Sequence, residues 1–140
     1  MADCAFCRIV QGQIESYTVY EDAQTLAFLD HRPLLPGHCL VVPRHHYPTL
    51  GDLPADLVGP YFQVVQRLAG AVERAFQAEG AFVAANIRIS QSVPHLHVHV
   101  VPRRKGDGLF SRNFVWQRKP YPSEQAIKEA QQAIKDALRA

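Results

Sequence analysis

The stretch PHLHVHVVPR, residues 94–103, puts histidine at positions 95, 97 and 99, with Leu96, Val98 and Val100 between and after them. Alternate residues of a strand point to the same face and lie about 7 Å apart along the backbone. His95, His97 and His99 are therefore expected on one face of a strand, with Leu96, Val98 and Val100 turned into the core. A face built of imidazole has three readings. It is a half-exposed strand that happens to carry histidine; a metal site, since histidines at i and i+2 of a strand can share one zinc; or a row in which one histidine attacks while its neighbours position it and handle charge. Three of the chain's seven histidines fall on this one segment, which argues against the first reading.

The N-terminal cysteines bear on the choice. Cys4 and Cys7, in the run CAFC, have zinc-ligand spacing and need two more ligands to close a tetrahedral site. His45 and His46 follow an apolar segment, and His95 opens the triad. A set of Cys4, Cys7, His46 and His95 would tie the N-terminus to the sheet and leave His97 and His99 free of metal. A redox pair is the competing reading of the two cysteines. It is the weaker one, because a thioredoxin-like pair follows a strand and opens a helix. Cys39, in an apolar run, reads as core. Upstream of the triad, Ser90, Gln91 and Ser92 offer hydroxyls, an amide and backbone N–H groups that can hold anionic oxygens; an ordinary polar turn is the competing reading.

Working outward, residues 18–30 (TVYEDAQTLAFLD) read as two short strands with a turn near Asp22 to Gln24. Pro36-Gly37 marks a turn, and residues 38–43 (HCLVVP) a third, central strand. Leu57, Tyr61, Val64, Leu68, Val72 and Phe76 recur at helical spacing over 54–78, with Pro60 expected at the start or at a kink and Gly80 at the end. Residues 81–86 and 96–102 complete the strands. Ile127, Ala130, Ile134 and Leu138 stripe a last helix capped by Ser123. The expectation is an α+β fold with a five-stranded antiparallel sheet, one long helix and a C-terminal helix.

With 140 residues the chain is long enough for one real core. A net charge of +2 gives no bulk argument for nucleic acid or a membrane surface, and no apolar run approaches a membrane span. An odd number of cysteines and no signal-like start point to the cytoplasm, without a disulfide framework. The basic-aromatic run over 103–121 is ambiguous. Arg103, Arg104 and Lys105 can meet polyphosphate, and Phe114, Trp116 and Tyr121 can stack on a base; a solvated charge run beside packing aromatics is the preferred reading.

HLHVHVV, residues 95–101, resembles the His-φ-His-φ-His-φ-φ signature of the histidine triad (HIT) superfamily, φ being apolar. CAFCRIVQGQIES, VYEDAQTLAFLDHRPLLPGHCLVVPRHH and SQSVPHLHVHVVPRRKGDG also look like their counterparts in that family, in the same order. The resemblance covers Cys4 to about Gly108. It implies a single domain over 1–140, with a motif-bearing core over 1–110 and a C-terminal loop and helix over 111–140, in a homodimer. It implies a hydrolase or transferase of nucleoside monophosphates, AMP foremost, working through a nucleotidyl-histidine, with structural zinc and no organic cofactor. By position, His97 is similar to the family's nucleophile and His99 and His38 to its supporting histidines. Asp30 resembles the residue that holds the ribose hydroxyls, and Asn86, Gln91, Ser92 and His99 resemble groups around the phosphate. Cys4, Cys7, His46 and His95 match the zinc set of many members. Phe6, Ile9, Phe28 and Leu40 are candidates for a base pocket. One departure stands out: NIRISQ is shorter than the usual approach to the triad and puts Ser90 where glycine is common, which is strained if φ is positive there. The alternatives are a nucleotide-binding regulatory or scaffold protein with little catalysis, a metal hydrolase using all three histidines, and a DNA-repair or RNA-cap relative.

Overall fold

The computed structural model describes residues 3–140, so the first two residues of the expected unit lie outside it. The chain opens on a short helix, α1 (Ala5–Val10), which leads into strands β1 (Thr18–Glu21), β2 (Thr25–Leu29) and β3 (Cys39–Pro43). Helix α2 (Ala55–Phe76) follows, then β4 (Gly80–Ala84), β5 (Val98–Arg103) and helix α3 (Glu124–Arg139). The five strands form one sheet in the order β1-β2-β3-β5-β4, every neighbouring pair antiparallel. The α+β architecture expected from the sequence is the one found.

Local chemistry explains the elements. Asp22 Oδ1 accepts from the N–H groups of Gln24 and Thr25, both at 2.8 Å, and folds the β1–β2 turn back on itself. Helix α2 buries Tyr61, Val64, Val65, Leu68, Ala71 and Val72, a stripe at i, i+3, i+4 and i+7. Ser123 Oγ accepts the Ala126 N–H at 3.1 Å and caps α3, as its position implies.

Alternation along the strands sends side chains to two different places. Ala27, Leu29, Cys39, Val41, Val98 and Val100 join Leu68, Val72, Ile127 and Ile134 in the main core beneath α2 and α3. The other face carries Leu26, Phe28, Leu40 and Val42, which pack on Cys4, Phe6 and Cys7 of the N-terminal segment. Register aligns Phe28 with Leu40 and Leu40 with His99. The functional groups therefore stand on the face away from the two long helices.

Several boundaries differ from expectation. The last strand begins at Val98, so His99 alone of the triad is in regular β structure. Before it, the Leu96 N–H bonds to the Tyr47 carbonyl at 2.7 Å and the His95 N–H to the Val93 carbonyl at 2.8 Å, a loop pairing that breaks the ladder. The in-out alternation nevertheless continues, since Leu96 remains in the main core. Helix α2 starts five residues before Pro60 and runs through it. It ends on Gln77 in the left-handed conformation (φ 51°), and Gly80 opens β4 instead of stopping the helix. The third strand starts at Cys39, one residue after His38. Helix α1 had no counterpart in the sequence reading; Cys4 caps it, its Sγ accepting the Cys7 N–H at 3.3 Å.

Candidate functional site

Two adjoining constellations occupy the face away from α2 and α3. The first joins Cys4 and Cys7, at the start of α1, to His46 after β3 and His95 before β5. Their ligand atoms all lie within 4.8 Å of one another. Cys4 Sγ is 3.4 Å from His95 Nδ1, Cys7 Sγ 3.3 Å from His46 Nδ1 and 3.6 Å from His95 Nδ1. Tetrahedral zinc, with Zn–S near 2.3 Å and Zn–N near 2.0–2.1 Å, requires S···N separations of about 3.5 Å. The donor set fits that metal. His95 Nε2–H donates to the Pro43 carbonyl at 2.8 Å, which leaves Nδ1 unprotonated, the tautomer a ligand needs. Burial holds the His95 imidazole down to about 4, so its Nδ1 lone pair stays free.

The second constellation lines a pocket of about 860 Å³, within the range of small-molecule sites. One wall is apolar: Phe6, Ile9, Phe28 and Leu40, the four residues the sequence offered for a base pocket, together with Val93. Asp30, Ser92, His97, His99 and Arg118 are among its polar residues, and Glu15, Ser16, Tyr17, His31 and Arg32 also line it. Phe6 meets the ring of His97 edge-on, with centroids 5.0 Å apart.

Hydrogen bonds assign the imidazole protons. A carbonyl only accepts, so the 2.8 Å contact of His97 Nδ1 with the His95 carbonyl puts the proton on Nδ1 and leaves the Nε2 lone pair free. Burial is the main reason the ring sits below the usual imidazole range; Arg118 adds to this, while the His95 carbonyl and Asp30 oppose it. Next to it, the Leu34 N–H donates to His38 Nδ1 at 3.0 Å, so His38 carries its proton on Nε2. That proton goes to His99 Nδ1 at 2.9 Å, and His99 in turn carries its own on Nε2. His99 Nε2 is buried without a partner among the described residues. Its ring also faces Trp116, centroids 5.1 Å apart. Burial, with Arg118 and His97 contributing, brings His38 down to about 3. Burial and then the His38 and His97 charges bring His99 to about 3.

Of the expected site residues, the structure brings His97, His99, Asp30 and Ser92 to the pocket wall, with His38 directly behind His99. Asn86 and Gln91 are not part of that wall. The Asn86 amide donates to the Ser90 carbonyl at 3.1 Å. Gln91 is bound at both ends of its amide, accepting the Arg88 N–H at 2.9 Å and donating to the Pro48 carbonyl at 2.7 Å. The shortened approach does place strain at Ser90 (φ 61°) and also at Arg88 (φ 64°). In the basic-aromatic run, Arg103 forms a bidentate pair with Asp107 at 2.7 and 2.8 Å, Arg104 donates to the Phe76 carbonyl, and Phe114 is core. Tyr121 Oη accepts the Gly37 N–H at 2.9 Å. These contacts are structural, although the two arginines are tethered and not simply solvated and Phe114 packs with Leu34, Val101 and Leu109. Arg118, which no motif or spacing marks, reaches back to Asp30 and forms an ion pair with it.

A family model for the HIT domain matches residues 11–106. The chain belongs to the HIT-domain family. This HIT protein is 36% identical over 138 residues to an uncharacterized HIT-like protein of Saccharolobus solfataricus, an alignment covering 97% of this chain and 98% of that one. It is 35% identical over 109 residues to a Candida albicans adenosine 5′-monophosphoramidase, covering 74% and 72%. The crystal structure of a zinc-bound histidine triad family protein from Mycobacterium smegmatis superposes with a TM-score of 0.83 at 35% identity, covering 99% of this chain and 94% of that one.

Proposed function

We propose that this HIT protein releases a nucleoside monophosphate, AMP foremost, from a nucleotide conjugate through a covalent nucleotidyl-His97. The observation that carries this reading is the tautomer of His97. Its Nδ1–H is held by the His95 carbonyl, and its Nε2 lone pair is left for a ligand in the pocket. Nε2 attacks the α-phosphorus in line, the bond to the leaving group breaks, and water then cleaves the P–N bond to release the nucleotide and restore the imidazole. His99 Nε2–H is a buried donor without a partner among the described residues, suited to a non-bridging oxygen as charge develops. Ser92 on the same wall adds a hydroxyl. The apolar wall of Phe6, Ile9, Phe28 and Leu40 takes the base, and Asp30 takes the ribose hydroxyls. The similarity to the Candida adenosine 5′-monophosphoramidase supports an adenylate with a nitrogen leaving group as one substrate.

Zinc would be held by Cys4, Cys7, His46 and His95 and would tie α1 to the sheet. Four protein ligands fill a tetrahedral shell, so its contribution is to folding. A hydrolase using all three histidines as ligands is disfavoured, because His99 has no lone pair to give: its Nδ1 accepts from His38 and its Nε2 carries the proton. A homodimer is also proposed: β4 is an open sheet edge, and Val83 on it, with Ile87 and Ile89 just after, is exposed. Sedimentation analysis tests the dimer; a monomer at micromolar concentration would contradict it. The enzymatic reading is tested with His97→Ala, which is expected to bind AMP and turn over no phosphoramidate. Retained turnover would contradict His97 as the nucleophile, and a wild type that binds AMP without turnover would favour a scaffold.

A further inference from the structure

The loop that carries Arg118 packs against the segment after β2, and Arg118 lines the pocket. Lys119 N–H donates to the Pro33 carbonyl at 2.7 Å, and Arg118 Nη1 donates to the Arg32 carbonyl at 2.9 Å. The same Nη1 donates to Asp30 Oδ2. The other oxygen, Oδ1, accepts the Arg32 N–H at 3.0 Å. Asp30 is 8% exposed, and no other hydrogen bond to its carboxylate is made among the described residues.

A carboxylate only accepts, and its two oxygens offer about four lone-pair sites. In this structure one site on each oxygen is filled by a donor from the protein. What remains is one site on each oxygen of the same carboxylate. That is the pattern two adjacent hydroxyls of a cis-diol fill. Without Arg118 the carboxylate would be fixed only at Oδ1. Its terminal torsion is broad, so the pair of free sites would lose their direction. The guanidinium also gives the buried carboxylate a counter-charge.

We propose that Arg118 is a positioning residue that acts through Asp30: it presents the carboxylate so that the enzyme reads the 2′,3′-diol of a ribonucleotide and selects it over a 2′-deoxyribonucleotide. This deepens the proposed function and rests on its placement of the nucleotide in this pocket. Arg118 gives the C-terminal loop a part in substrate choice, remote in sequence from the triad.

The test is isothermal titration of the full chain with AMP and with 2′-deoxy-AMP. Wild type is expected to bind AMP about tenfold more tightly or better, the value of a hydrogen bond to a charged acceptor. In Arg118→Gln that preference falls below about threefold, through weaker AMP binding, and Arg118→Lys restores part of it. In an Asp30→Asn background, Arg118→Gln changes the preference no further. Equal weakening of both nucleotides would overturn the proposal, since it would mean that Arg118 meets the phosphate. Tighter AMP binding in Arg118→Gln would also overturn it, showing a plug that competes with the diol, as would a wild type with no sugar preference. Binding of AMP needs no chemistry, so the two readings fail separately. Sugar preference without turnover contradicts the catalytic reading alone; turnover with an unchanged preference in Arg118→Gln contradicts this one alone.

Discussion

His38 Nε2 stands 2.9 Å from His99 Nδ1, and the Leu34 N–H behind His38 fixes which ring donates. The relay runs one way, from a backbone amide through two imidazoles to a donor at His99 Nε2. Both rings must be neutral for it to hold, and burial keeps both near 3.

Their neutrality makes stability depend on pH. An unfolded histidine titrates near 6.5, so between about 6.5 and 3 the unfolded chain binds protons that folded His38 and His99 refuse. Their contribution is fully present above pH 6.5 and is lost as pH falls toward 3. We expect urea unfolding at pH 7, 5.5 and 4.5 to show a decline of about 1 kcal/mol per pH unit or more. His38→Gln, which does not titrate, should lower stability at pH 7 but flatten that slope. An unchanged slope would mean that the relay is not neutral in the folded state.

Gly37, one residue before His38, has φ +94°. A methyl group there would sit 2.5 Å from Phe76 Cε2 and 2.9 Å from Pro102 Cγ. Strain and overlap together predict that Gly37→Ala costs about 2–4 kcal/mol. Denaturant unfolding measures it, and a loss under about 0.5 kcal/mol would show that the turn relaxes freely.

Removing the metal should affect folding before chemistry. If zinc fills the Cys4, Cys7, His46 and His95 set, then a strong chelator or Cys4→Ser should lower the melting temperature by about 10 °C, equivalent to roughly 3 kcal/mol for a chain of this size. Elemental analysis should find about one zinc per chain in wild type and little in the variant, a full tetrahedral set being needed to hold it. A zinc-free wild type with an unmoved melting temperature would contradict the assignment.

How much of this was legible in the sequence depended on how far each contact reaches. The β1–β2 turn, the α2 stripe and the Ser123 cap are decided within a few residues, and all were readable. The alternation of His95, Leu96, His97 and Val98 showed which groups share a face, although the ladder forms only from Val98. The zinc-type set was legible because cysteine and histidine have so few other reasons to take that spacing. Asn86 and Gln91 sit in the loop before the triad, but their amides are committed to Ser90, Arg88 and Pro48. Arg118 meets Asp30 across 88 positions of sequence, from a loop with no periodicity, and nothing local marks that pairing.

The central claim is a covalent bond between His97 and the nucleotide. It is tested most directly by rapidly quenching the enzyme during turnover of adenosine 5′-phosphoramidate, under alkaline conditions that spare P–N bonds, and mapping the peptides by mass spectrometry. An adenylyl group on His97, formed and lost at the rate of turnover and missing from His97→Ala, is the predicted result. Full turnover with His97 unmodified at every time point, or with the adenylyl group on another residue, would contradict it.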